Sequence, residues 1–250
     1  MTNEKIFLSI IIPLYNEEKR LITLPEIYCY LNKQRFSWEI ILVNDGSKDN
    51  TKKTATNMIR ANSFKNVQLI SYKQNKGKGF AIKNGMLKAK GEHRLFIDID
   101  LSTPIEEFNK FLPFIKKFDI VIGSRKRKGA KLIKRQSKLR ERLGKEFTRL
   151  SQNILGIKVT DFTCGFKCFS AISAKKIFSM QNIEGWGFDA EVLFLAQKLS
   201  FSIKEVAVVW KNDSETKVRL PKDIIVSLFE LFKIRYYALK NLYTEFPANS

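Results

Sequence analysis

Five short apolar runs alternate with stretches of helical period over the first half of this 250-residue chain: FLSIIIP (7–13), WEIILVND (38–45), NVQLISY (66–72), HRLFIDID (93–100) and DIVIGS (119–124). That alternation limits the fold more than any other feature. Runs with little or no polar face are strands buried on both sides, and strands separated by helices cannot pair as hairpins. The pattern therefore predicts an α/β fold with a mostly parallel central sheet covered by helices on both faces. In such sheets ligands collect beyond the carboxyl ends of the strands. Here those ends carry Pro13, Tyr15, Asn16 and Glu17, then Asp45, then Asp98 and Asp100, and then Arg125, so acids, a phenol and an arginine are expected at one rim. Beyond 124 the chain reads as basic and helical over 126–157. Helices follow near 171–180 and 188–199, then a strand near 203–210 and an amphipathic helix near 222–242. With 44% hydrophobic residues this length suits one α/β domain rather than two.

Asp98 and Asp100 stand one residue apart at the end of the fourth run, where strand alternation would put both side chains on one face. Two carboxylates so close repel unless a cation or a proton lies between them. Helix capping is the alternative role, but Thr103, Pro104 and Glu106 read as a capping box of their own, which leaves both acids free. Hard oxygen ligands at a strand end suit Mg²⁺ or Mn²⁺ better than zinc. VNDGSKDNT (43–51) reads as a turn into a helix with Asp49 or Ser47 near its cap, which leaves Asp45 able to accept from a base N–H or a sugar hydroxyl. NKGKGFAIKNG (75–85) fails the dinucleotide fingerprint, because Ile82 stands at the third glycine position, and it fails the P-loop pattern as well. It reads as a helix start that brings Lys76 or Lys78 near phosphate.

Three cysteines (Cys29, Cys164, Cys168) and one histidine (His93) supply too few ligands for an ordinary zinc site. They point to a reduced, cytoplasmic protein without imidazole-based nucleophilic catalysis. No apolar run reaches the length of a spanning helix, and none resembles a signal peptide. The net charge of +20 is uneven: residues 125–149 hold twelve Lys or Arg against Glu141 and Glu146. Such density is either a solvated helix face or a surface for anionic lipid or nucleic acid. For the C-terminal helix, with its broad apolar face interrupted by Glu230, Lys233 and Arg235, three roles stand open: lying on a bilayer, packing on the domain, or a homodimer contact.

The runs LSIIIPLYNEEKRL, IILVNDGSKDNT, NKGKGFAIKNGM, FIDIDLSTP, VIGSRK, DFTCGFKCF and GWGFDAEVLFLAQ, in that order, resemble the family 2 glycosyltransferases of GT-A fold. The likeness is greatest to the branch making polyprenyl-phosphate sugars, the dolichyl-phosphate β-glucosyltransferases and then the dolichol-phosphate mannose synthases. It covers about residues 7–218. The resemblance implies a GT-A catalytic domain over 1–220, with a nucleotide-binding half to about 125 and an acceptor half over 126–220. Residues 221–250 follow as helix and tail. It assigns nucleotide binding to Pro13, Tyr15, Asn16, Glu17 and Asp45, and metal and diphosphate binding to Asp98 and Asp100. Arg125 falls beside phosphates, and Asp189 and Glu191 form an acidic pair facing sugar and acceptor. Ser102 stands where mannose synthases often carry a glutamine ligand. Trp186, between two glycines, is expected at an exposed loop able to stack on a sugar, and Lys217 in a loop reaching phosphate.

The implied reaction is inverting transfer of a hexose, with UDP-glucose the first donor to test, to a polyprenyl or dolichyl phosphate at an anionic, cytoplasm-facing membrane surface. A soluble family 2 enzyme acting on a saccharide or protein hydroxyl is the nearer alternative. A basic nucleic-acid-binding protein is the more distant one, and no recognition helix or stacking strand supports it.

Overall fold

The computed structural model describes residues 5–134, 138–213 and 222–243, with the side chains of 138–140 and 222–224 left aside. In chain order the elements are β1 (Leu8–Leu14), α1 (Leu24–Asn32), β2 (Trp38–Asp45), α2 (Thr51–Ala61), β3 (Val67–Tyr72), α3 (Lys78–Lys88), β4 (His93–Ile97), α4 (Leu112–Ile115), β5 (Ile120–Ser124), β6 (Lys131–Lys134), α5 (Lys138–Leu155), β7 (Phe166–Ser170), α6 (Ala171–Met180), α7 (Phe188–Lys198), β8 (Ile203–Ala207), β9 (Val209–Lys211) and α8 (Lys222–Leu239). Seven strands form one sheet in the order β3-β2-β1-β4-β7-β5-β8, and β6 and β9 form a parallel pair beside it.

Strand β2 is buried throughout and β1 nearly so, as expected of strands covered on both faces. Alternation sorts their side chains into two cores. Ile11, Ile41 and Val43 face α3, α6 and α7, while Ile10, Ile12, Ile40 and Leu42 face α1 and the 3₁₀ turn Ile105–Lys110. Pro13 sits in central strand β1 without costing a ladder bond on the β4 side, because the β1–β4 pairing runs only from Leu8 to Ile11. The two strands diverge there. Chain order reverses between β1 and β4, so the crevice beyond their carboxyl ends is the topological switch point where ligands bind in such sheets.

The central sheet is mostly parallel, as expected; the exception, β7, runs antiparallel between β4 and β5 and was hidden because Lys167 interrupts the apolar pattern of FKCFS. Three sequence expectations are corrected. Residues 126–134 are not helical; Lys131–Lys134 instead pair with Val209–Lys211, so the strand expected over 203–210 is split between two sheets. β4 ends at Ile97, which places Asp98 and Asp100 in the following turn rather than on one strand face. Finally, Thr103 does not cap. The 3₁₀ turn after it makes no side-chain cap bond, and the Thr103 hydroxyl lies 3.9 Å from Cys164 Sγ. His93 is a buried core residue packed edge-on to Phe7 at the far end of β4, and Cys164 and Cys168 are buried free thiols.

Candidate active site

The loops after β1 and β2 are locked together by the residues that were expected to hold a nucleotide. Asn16, with a left-handed backbone (φ +53°), donates its N–H to Ser47 Oγ at 2.9 Å and accepts from Lys48 N–H at 2.8 Å. Glu17 N–H donates to Thr51 Oγ1 at 2.7 Å, and its carboxylate pairs with Arg20 at 3.0 Å. Arg20 in turn holds Asp213 at 2.6 Å, which ties the start of the 213–221 connection to this rim. Tyr15 is half-buried in the same loop.

Asp45 is nearly enclosed and accepts from the N–H groups of Lys76 and Gly77, each at 2.8 Å, and from Asn75 Nδ2 at 2.8 Å. The carboxylate expected to be free for a base or ribose is instead the anchor of the 75–77 loop. That loop starts α3, whose first residue, Lys78, places Nζ 2.6 Å from Asp98 Oδ1 and above the Trp186 ring at 5.3 Å. Gly77 is at φ +110°, and a Cβ there would strike the Glu184 carbonyl, so the glycine is needed for α3 to meet the segment that carries Trp186. Trp186 is 39% exposed, as its two glycine neighbours suggested.

Asp100 accepts from Ser102 N–H at 2.8 Å across a turn in which Leu101 adopts φ +48°. Its pKa is raised, first by burial and then by the charge of Asp98. The two acids are therefore close and repel. Asp100 also lines an open cleft of about 260 Å³ together with Leu101, Ser102, Lys134, Lys211, Asn212 and Asp213. Neither Lys134 nor Lys211 stood out in the sequence; the pairing of β6 with β9 brings them to the acids.

On the other side of Asp98 lies the turn before β7. A Cβ on Gly165 would overlap the Asp98 carboxylate, so the glycine of CGFK is the space into which Asp98 fits. Gly165→Ala should displace Asp98. The expected result is a loss of about a hundredfold in the sugar transfer that the resemblance implies, with the melting temperature little changed, because misplacing one group by about 1 Å costs that much. An alanine variant with wild-type kinetics would show that Asp98 need not occupy this position. Lys167 of the same motif is fully buried and donates to Asp189 Oδ1 and to the Cys164 carbonyl. The Asp189 pKa is raised by burial, against the opposing charges of Lys167 and Lys78. Asp98, Asp100, Lys78, Asp189 and Trp186 thus converge.

Two expected members do not join them. Glu191, two residues along α7 from Asp189, points away from it, since i and i+2 lie on different sides of a helix. It is fully buried and accepts from the N–H groups of Asn182 and Ile183 and from the Tyr243 hydroxyl. It therefore cannot face sugar or acceptor. It holds the 182–187 segment, whose far end is held by Glu230 accepting from Gly187 N–H at 2.7 Å. Arg125 is the second. Its fork is committed to fully buried Asp161 (Nε–Oδ2 2.8 Å, Nη2–Oδ1 2.6 Å) and to Thr163, with the guanidinium 5.3 Å from the Trp210 ring centre. Burial alone would raise Asp161, but Arg125 holds it down to about 2. Arg125 is thus a neutralised structural pair rather than a free cation. Lys217 lies outside the described residues.

Burial raises Glu191 to about 7, despite its three donors. The folded chain keeps that proton up to about pH 7, whereas the unfolded chain releases it near 4.5. This contribution is fully present below 4.5 and declines as pH rises to 7, by about 3 kcal/mol. Urea melts of wild type and Glu191→Gln from pH 4 to 8 should differ by that slope, and parallel curves would refute it.

Asp98 and Asp100 fit a hard divalent cation: they are two oxygen ligands whose mutual repulsion a cation would relieve. Among the described residues no third His, Cys, Asp or Glu joins them, so further ligands would come from a diphosphate or from water.

Comparisons with known proteins establish the family and the fold. Residues 9–178 match the glycosyl transferase family 2 model. The dolichyl-phosphate beta-glucosyltransferase of Dictyostelium discoideum is 37% identical over 241 residues, covering 89% of this chain and 74% of its own length. That of Saccharomyces cerevisiae is 32% identical, covering 97% and 78%. In fold, the chain is similar to mannosyl-3-phosphoglycerate synthase from Rubrobacter xylanophilus (TM-score 0.69, 13% identity, 98% of this chain and 77% of that one). It is also similar to glucosyl-3-phosphoglycerate synthase from Mycobacterium tuberculosis, in complex with Mn²⁺, UDP-glucose and glycerol 3-phosphate (TM-score 0.66, 17% identity, 93% and 79%). The chain belongs to glycosyl transferase family 2, with a GT-A fold, and is a glycosyltransferase. The nucleic-acid reading of its charge is set aside.

Proposed function

We propose that this enzyme transfers glucose from UDP-glucose, with inversion, to the phosphate of a polyprenyl or dolichyl carrier at an anionic, cytoplasm-facing membrane surface. The observation that carries the reading is the convergence of Asp98, Asp100 and Lys78 at the switch point, beside a cleft edged by Lys134 and Lys211. The relatives named for this reaction supply the substrate class.

Transfer forms a bond from an acceptor oxygen to the anomeric carbon and breaks that carbon's bond to the diphosphate, which leaves with the electron pair. When bound, Mg²⁺ or Mn²⁺ supplies Lewis-acid neutralisation of that leaving charge. The chain's own part is to hold the reactants. Lys78 exchanges Asp98 for a phosphate oxygen, while Lys134 and Lys211 give the cleft the charge to hold the rest of the phosphates. A carrier phosphate with a second pKa of about 6 is largely dianionic at neutral pH and needs no strong base. The coupling of Asp189 to Lys167 suits it to orienting sugar hydroxyls rather than removing a proton. Trp186 offers a ring face to the hexose.

A calorimetric panel of UDP- and GDP-sugars with and without Mn²⁺ tests the reading. Tightest binding is expected for UDP-glucose with metal. Binding of a GDP-sugar instead, or metal-independent binding of all, would refute the donor assignment.

A further inference from the structure

Helix α8 is apolar on two opposite faces. One face seats Leu231 and Ile234 in the core. The other carries Ile225, Phe229, Phe232, Tyr236 and Leu239, each between 50% and 70% exposed. Their spacing of three and four residues keeps all five within one stripe, about 21 Å long from first to last. Among the described residues none buries it, and the transfer chemistry does not use it.

Charge says what such a stripe meets. Lys233 and Lys240 flank it on one side and Arg235 on the other, all exposed. Over 225–243 the only carboxylate is Glu230, and it is turned inward onto Gly187 N–H. Helix α5 packs beside α8 and adds exposed Arg142 and Lys145, together with Arg149, which is paired with exposed Glu146 at 3.3 Å, so that this face keeps a net positive charge. An apolar stripe rimmed over 225–239 by cations and by no outward acid is the pattern of a helix lying in the plane of an anionic bilayer, with its rings below the headgroups and its cations among them. A second copy of the chain fits less well. A stripe of this length and one helix wide offers roughly 200 Å², against about 800 Å² per partner in a stable interface, and a two-fold pairing would bring its cations together.

We propose that the outer face of α8, with the adjoining basic face of α5, is the surface by which this enzyme docks on anionic membranes. The inference rests on the lipid-acceptor reading and extends it, because Glu230 links the docking helix to the Trp186 loop. Docking would set the acceptor end of the site against the headgroup layer.

Flotation of the full chain tests it, using vesicles of phosphatidylcholine alone and of phosphatidylcholine with phosphatidylglycerol. Retention is expected on the anionic vesicles, weakening as salt rises. The Phe229→Ser/Phe232→Ser variant should lose at least about tenfold in retention, since burial of these two rings is what holds the helix in the bilayer. Its transfer to a short-chain, water-soluble prenyl phosphate should stay within about twofold of wild type, which also shows that it folds. Lys233→Glu/Arg235→Glu should remove the preference for anionic vesicles. Wild type that fails to float while still glucosylating the short-chain acceptor would overturn the docking surface alone. So would unchanged retention of the serine variant, or a dimer in sedimentation that the serine variant dissociates. Retention of wild type with no prenyl phosphate accepting glucose would leave the surface standing and overturn the proposed function.

Discussion

Asp100→Ala is expected to lower kcat/KM for sugar transfer by at least about a thousandfold, roughly 4 kcal/mol of transition-state stabilisation, without loss of folding stability. The two halves of that expectation have one cause. Asp100 is a partly buried acid whose ionisation is opposed by burial and by Asp98, and its turn is closed by a hydrogen bond that it accepts from Ser102 N–H. Its removal relieves repulsion in the resting protein while deleting half of the oxygen pair that would hold the cation on which neutralisation of the leaving diphosphate depends. Single-turnover transfer with saturating Mn²⁺, alongside a thermal melt, separates the two. A stable variant with substantial activity would mean that Asp100 does not hold the metal.

The second large effect is on stability. Lys167→Met removes the cation from a fully enclosed site and leaves Asp189 without its closest counter-ion. Breaking a buried pair from one side typically costs about 3–5 kcal/mol, and here the damage also reaches the Cys164 carbonyl beside Gly165 and Asp98. Denaturant melts should show that loss, and Lys167→Met/Asp189→Leu should recover most of it because no charge is then stranded. Activity should not recover. If the single variant is as stable as wild type, the pair does not hold this corner together.

The parallel half of the sheet was legible because burial on both faces leaves unbroken apolar runs, and the rim acids were legible because they follow those runs directly. What sequence hid is what tertiary contact decides. β7 carries a lysine in mid-strand, and only the enclosed Asp189 explains why a charge is tolerated there. Asp189 and Glu191 look like a pair in the sequence, yet helical geometry sends one to the site and the other to Tyr243. Arg125 follows a strand end as a phosphate ligand should, and Asp161, 36 residues away, takes its fork. Lys134 and Lys211 reach the cleft only because two short strands pair outside the main sheet. The lone mid-strand lysine was the one signal that could have been followed, since an unpaired ammonium is not left in a sheet core.

Electron paramagnetic resonance of Mn²⁺ titrated into the protein with and without UDP reads the central claim without relying on turnover. Bound metal should approach one ion per chain, tighten when UDP is present, and vanish in both Asp98→Asn and Asp100→Asn. Metal that binds equally well in those variants, or no UDP-dependent binding in wild type, would contradict the assignment of this turn as the seat of the diphosphate.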